Sequence, residues 1–173
     1  MSKIIEEVEG LYKIITLDAF RNTPGVTFDL IPLEMIPTIS SLDRVLHQKS
    51  AISPGPVGEV KRPWYLHHFQ DDNLVVLYGR REVDIYSVAH ERVEHFTVLP
   101  NQIYKNGTLI YEGGAMLVWP RGVFHRIQSG DRVTGRQGST RRESSSLSCN
   151  LLRLGLIGSD IIKKEKWPCA ATF

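Results

Sequence analysis

The sequence predicts a mainly β domain, an antiparallel sandwich or barrel with one helix in front of it. Three observations predict it. From Val60 onward, short runs alternate apolar and polar residues; in one of them Val83 and Ile85 alternate with Glu82, Asp84 and Tyr86. Asn106-Gly107 sits between two such runs, and both residue types tolerate the positive φ that a two-residue hairpin turn requires. Pro120 and Gly122 make a rigid corner before a further run, because proline fixes φ and glycine turns where a side chain would clash. Many short strands at close spacing behind one helix are the pattern of a sandwich or barrel.

Residues 1–24 read as a helical extension. Ile4, Val8, Leu11, Tyr12 and Ile15 recur at spacings of three and four, with Glu6, Glu7 and Glu9 on the other side, and Ser2 can cap the first turn. The barrel is expected over residues 25–157. Residues 26–36 read as strand broken by Pro32, residues 40–48 as one or two helical turns that leave His47 solvated or partly packed, and residues 53–58 as loop. Strands follow at 73–79, 80–88, 95–99, 102–105, 108–112, 115–119, 123–128 and 146–157. Between the last two, residues 129–146 are rich in Ser and Gly and carry Arg132, Arg136, Arg141 and Arg142. They read as a flexible, solvated loop, or else as a lid whose arginines fork onto an anion. Residues 158–173 form a tail with a charge run followed by Trp167 and Phe173.

The bulk properties exclude several classes. A chain of 173 residues is one domain's worth, with enough length to bury a core. Hydrophobic residues at 42% and charged residues at 23% are ordinary for a globular protein. A net charge of +2 gives no electrostatic case for nucleic acid or a membrane surface. Cys149 and Cys169 have no metal-type spacing and suggest no disulfide scaffold. No apolar run reaches the roughly 18 residues of a bilayer span. The N-terminus lacks a basic region followed by an apolar stretch, so a cytoplasmic location is expected.

Residues 114–125 carry the most specific signal. Gly114 is followed after five residues by Pro120, then by Gly122 two residues on, then by His125. This spacing resembles the second motif of the cupins, antiparallel β-barrels of jelly-roll type that hold a metal or a small ligand inside. The first cupin motif has a histidine, one residue, a second histidine, then a glutamate and a closing glycine. Residues 64–79 resemble it, with Gly79 in the glycine place, Asp72 in the glutamate place, His67 as second histidine and Tyr65 in the first histidine place. Strand alternation puts Tyr65 and His67 on one face and His68 on the other.

Two imidazoles and a carboxylate suit a divalent transition metal with open positions. The resemblance therefore implies His67, Asp72 and His125 as ligands, with Asp71 in reserve because Asp72 is one methylene shorter than glutamate. Tyr65, a phenol with a pKa of about 10, is a poor ligand at neutral pH. The alternative is that the two histidines line the barrel, held by hydrogen bonds and bound to no ion. Tyr65 and Trp119 are the candidate substrate contacts, while core packing accounts for Phe124 and serves equally for Trp119. His90 and His95, flanking a polar turn, read as surface residues.

Trp64, Leu66, His67, Gln70, Asp72 and Gly79 also resemble a pattern in cupin relatives of the deoxysugar-nucleotide 3,5-epimerases. That resemblance implies chemistry without a metal or other cofactor. It makes His67 the general base that removes a proton beside a ketone, a role suited to a side chain that titrates near the working pH. Tyr86, Tyr104 and Tyr111 are available to return the proton, and Arg62 precedes the motif at a spacing that departs from the family's.

Three functions follow: a small-molecule-binding cupin dependent on a divalent metal, a metal-independent sugar-nucleotide epimerase or isomerase, and a ligand-binding sensor without chemistry. The partner in each is a small molecule. A homodimer is expected, because the amphipathic N-terminal segment needs a surface to cover its apolar stripe.

Overall fold

The computed structural model describes residues 2–36, 41–48, 50–130 and 150–155. The arginine-rich segment at 131–146, Cys149, Cys169 and the tail lie outside the described residues. In chain order the strands are β1 (Ile4–Val8), β2 (Tyr12–Thr16), β3 (Asp18–Thr23), β4 (Val26–Leu30), β5 (Ser41–Leu46), β6 (Ile52–Ser53), β7 (Tyr65–Leu66), β8 (Asp72–Val76), β9 (Arg81–Ser87), β10 (Arg92–Leu99), β11 (Gln102–Lys105), β12 (Thr108–Glu112), β13 (Ala115–Trp119), β14 (Phe124–Ser129) and β15 (Asn150–Gly155). A 3₁₀ turn, Leu33–Met35, follows β4. Among the described residues no helix is long and apolar enough to cross a membrane.

The N-terminal helix is corrected to a hairpin. β1 pairs antiparallel with β2, and Gly10 at φ +72° makes the turn. The helical spacing misleads because β2 is covered on both faces. Tyr12 and Ile14 point to one side and Ile15 to the other, so apolar residues fall three and four apart without a helix. Ile4, Ile5, Val8, Ile14, Ile15 and Thr16 are β-branched and favour the extended chain. Residues 41–46, expected as helical turns, are likewise strand β5.

The strands form two main antiparallel sheets rather than a closed ring. The first runs β1-β2-β13-β8-β15-β5. The second runs β12-β11-β10-β9-β14-β6, with β7 also on β14. β3 and β4 make a separate two-stranded ribbon. Asn106 and Gly107, at φ +50° and +83°, turn β11 into β12 as the sequence predicts.

The core lies between the sheets. Ile14, Leu74, Val76 and Leu117 of the first meet Val83, Ile85, Phe96 and Val98 of the second. Tyr12 and Phe96 meet edge to face, ring centroids 4.8 Å apart. Ile15, Val75, Met116 and Val118, on the outer face of the first sheet, are covered by Leu17, Ile31, Met35 and Ile36. β8 and β13 are thus buried on both faces, and so is any polar side chain they carry.

Candidate functional site

The Pro120–Gly122 corner ties the two motifs together. Gly122 takes φ +79°, a conformation open to glycine at little cost, and its N–H donates to the carbonyl of His67 at 2.8 Å. Asp71 accepts the Arg121 backbone N–H at 2.8 Å and lies 3.4 Å from that guanidinium. Asp71 braces the corner and lies outside the histidine cluster. After the corner, β14 pairs with β7 so that His125 faces Tyr65, and β13 pairs with β8 so that Trp119 faces Asp72. Strand pairing joins Tyr65 to His125 in the second sheet and Asp72 to Trp119 in the first, and the corner and the packing of the two sheets bring these pairs together, with His67 just beyond β7.

The cluster is tight. Asp72 Oδ2 lies 3.7 Å from His67 Nε2 and 3.5 Å from His125 Nε2. The three ligand atoms fall within 4.8 Å of one another, and among the described residues this is the one such group of His, Cys, Asp and Glu. The two imidazole centroids are 5.0 Å apart. Tyr65 lies 6.0 Å from His67, nearly parallel to it, and 5.8 Å from His125. Trp119 lies 5.1 Å from His125. The Asp72 and His125 side chains are buried, but His67 keeps 24% of its side chain exposed, so it is the member a ligand reaches first.

The electrostatics favour a positive species here. Gln70 donates to Asp72 Oδ1 at 3.0 Å, which orients the carboxylate and turns Oδ2 toward the histidines. His125 Nδ1 lies 3.4 Å from the Val123 carbonyl, an oxygen that can only accept. A proton on Nδ1 leaves Nε2 facing a carboxylate. A second proton, or a metal ion, is what makes that approach favourable. One buried negative charge between two imidazoles can therefore compensate a proton taken up by either of them.

Val45, His47, Ser53, Asn73, Leu74 and Ile127 complete the wall of an inner cavity with Tyr65, Asp72, Trp119 and His125. The space is about 50 Å³, room for a carbonyl and the carbon beside it rather than a whole sugar. A larger hollow of about 360 Å³ lies over the outer face of the first sheet, near Lys13, Asn73, Val118 and Pro120, away from the histidine cluster.

His47 is the lining residue that sequence reasoning missed. The sequence reads it as solvated or partly packed on a helical turn, but it is 9% exposed, because that segment is a strand that ends at the cavity. Burial first, and the Arg81 guanidinium second, push its pKa down to about 4.

Other candidates fall elsewhere. His68 is exposed, as alternation predicts. Tyr86 packs against Trp64 and Phe124, Tyr104 donates to Gln102, and none of Tyr86, Tyr104 and Tyr111 lines the inner cavity. Arg62 sits 3.8 Å from Asp84. His95 is more than surface decoration: its Nδ1 lies 2.6 Å from Asp84 and its Nε2 3.0 Å from Glu82. His90 Nδ1 pairs with Ser87 Oγ at 2.7 Å.

No protein-family model and no curated protein matches the sequence. Solved structures do. The sugar 3,4-ketoisomerase of Thermoanaerobacterium thermosaccharolyticum, solved with TDP, matches with a TM-score of 0.53 at 13% identity, covering 89% of this chain and 85% of its own. A 4-keto-6-deoxy sugar epimerase from the novobiocin biosynthetic gene cluster of Streptomyces spheroides matches with 0.57 at 11%, covering 92% and 70%. The dTDP-4-dehydrorhamnose 3,5-epimerase of Sulfolobus tokodaii matches with 0.55 at 13%, covering 92% and 77%. At these identities the likeness shows the fold, which is the cupin fold of those enzymes.

Proposed function

We propose that this chain is an isomerase or epimerase of a keto sugar linked to a nucleotide, with His67 as the general base. The observation that carries the reading is the Asp72 carboxylate set between the accessible His67 and the buried His125, at 3.7 and 3.5 Å. A ligand entering from the mouth brings the carbon beside its ketone to His67. The C–H bond breaks, the proton goes to the imidazole, and the electron pair moves onto the carbonyl oxygen as an enolate. Asp72 offsets the charge the imidazole gains, and the cavity wall limits access of bulk water. Where the deprotonated carbon carries a hydroxyl, the hydroxyl proton passes to the enolate oxygen, and return of the carbon-bound proton to the former carbonyl carbon leaves the ketone on the neighbouring carbon, an isomerase; return to the opposite face of the same carbon gives an epimerase. Neither needs an oxidant or a cofactor. The ketoisomerase and epimerases of like fold support this choice of substrate class. Tyr65 and Trp119 would contact the sugar.

The test is incubation with TDP-4-keto-6-deoxyglucose in deuterated water. Deuterium at a carbon beside the ketone supports the reading. Tight binding without exchange leaves a sensor, and absence of both binding and exchange removes the proposal.

The spacing also supports a second reading, a divalent transition metal held by His67, Asp72 and His125. Ligands about 2.1 Å from a tetrahedral ion stand about 3.4 Å apart, close to the distances here. Such an ion would polarise the ketone as a Lewis acid. Elemental analysis of the purified protein decides it, with loss of the metal in His125→Ala tying the ion to this site. A homodimer remains part of the proposal. With the helix gone, its surface would be the β3–β4 ribbon, where Phe20 and Leu30 are 61% and 58% exposed, and light scattering reads the mass.

A further inference from the structure

The wall of the inner cavity is polar beyond the histidine cluster. Tyr65, Asp72, Trp119 and His125 share it with His47, Ser53 and Asn73 and with the apolar Val45, Leu74 and Ile127. β14 carries His125 and Ile127 into that wall and runs on to Ser129, which pairs with Arg81. Arg81 is fully buried and donates to Ser129 Oγ at 2.7 Å, and it is close enough to His47 to influence its charge.

Two ring nitrogens of cavity-lining side chains are left over. His47 Nδ1 and Trp119 Nε1 are buried and make no hydrogen bond with the described residues. A buried polar atom without a partner is costly, and native proteins rarely leave one unless something else fills the role.

We propose that His47 is a specificity contact of this site, its imidazole hydrogen-bonding a hydroxyl or carbonyl oxygen of the sugar and not the diphosphate. The proposal rests on the sugar-nucleotide reading above. Burial and Arg81 keep the ring neutral at physiological pH, and a neutral imidazole offers a phosphate no ionic attraction. A space of about 50 Å³ with the apolar side chains of Val45, Leu74 and Ile127 in its wall also admits one oxygen-bearing edge of a sugar and not a diphosphate. The nucleotide would then remain outside, beyond His67.

Calorimetry with TDP-glucose and with TDP alone tests this on wild type, His47→Phe and His47→Gln. Phenylalanine fills the space without hydrogen-bonding, and glutamine keeps a donor and an acceptor. His47→Phe should bind TDP-glucose about tenfold more weakly and TDP within twofold of wild type, while His47→Gln recovers most of the loss. Equal weakening for both ligands, or no weakening for either, overturns the proposal. A wild type that binds neither ligand removes the sugar-nucleotide reading itself, which is a different outcome. Histidine ring signals followed by NMR in the wild type serve if a variant does not fold: His47 should move with TDP-glucose and stay with TDP, and the reverse overturns the assignment.

Discussion

Asp72 decides what the two histidines can do. Both imidazoles face the same carboxylate oxygen, Gln70 holds the other oxygen, and the side chain is 3% exposed. Replacing it with asparagine keeps the shape and the Gln70 contact but removes the charge that offsets a protonated imidazole. Asp72→Asn should lower turnover about a hundredfold, and His67→Asn about a thousandfold, with thermal midpoints within a few degrees of wild type. Steady-state kinetics beside a thermal scan check both. A His67→Asn enzyme of normal rate would show that another group is the base. The clustering of these residues was legible because each sits at a fixed offset from a turn or corner in the sequence, one motif on β7–β8 and its complement on β14, where the two sheets face each other. His47 was not legible. No spacing links it to either motif, and only the position of β5 in the first sheet brings it to the cavity.

At the scale of elements, the sequence reads well where apolar and polar residues alternate along a strand or a turn carries its own residue signature. β9 alternates, and the β11–β12 turn carries Asn106-Gly107, so both are found where expected. It reads poorly where apolar residues stand on both faces of a strand. β2 lies next to β13 in a sheet whose outer face is roofed by Met35 and Ile36, and apolar residues on both sides of a strand imitate a helical stripe. The two readings separate at Ile14. It lies off the helical stripe of Ile4, Val8, Leu11, Tyr12 and Ile15, yet in the sheet it pairs with Leu117 and is fully buried. Ile14→Ala should therefore cost about 2–5 kcal/mol in urea unfolding. Ile4→Ala, at a site 43% exposed, should cost well under that. Near-equal effects would contradict the strand.

At the scale of the whole molecule, acid should loosen the fold in two stages with separate causes. His47 is pushed to about 4 in the folded protein, against 6.5 for the free group. Above pH 6.5 it is neutral in both states and contributes no slope. As pH falls from 6.5 toward 4, the unfolded chain takes up a proton that the folded cavity refuses, so stability is lost at up to about 1.4 kcal/mol per pH unit. No compensating charge change is expected from Arg81, which stays protonated throughout. Asp84 and Glu6 act lower. Burial pushes Asp84 up, but hydrogen bonds from His95 and Arg126 outweigh it and leave the carboxyl below its ordinary value. Glu6 follows the same pattern, with burial opposed and outweighed by Lys105 and Tyr12. Each contributes fully above the ordinary carboxylate range near pH 4, and the contribution is lost as pH falls through its lowered folded value. Urea midpoints should therefore decline gently between pH 6.5 and 4 and more steeply below. In His47→Gln the upper decline should flatten while the lower one remains, because Asp84 sits on β9 and Glu6 on β1, away from the cavity. An unchanged upper slope in that variant would place the responsible histidine elsewhere and would return His47 to solvent.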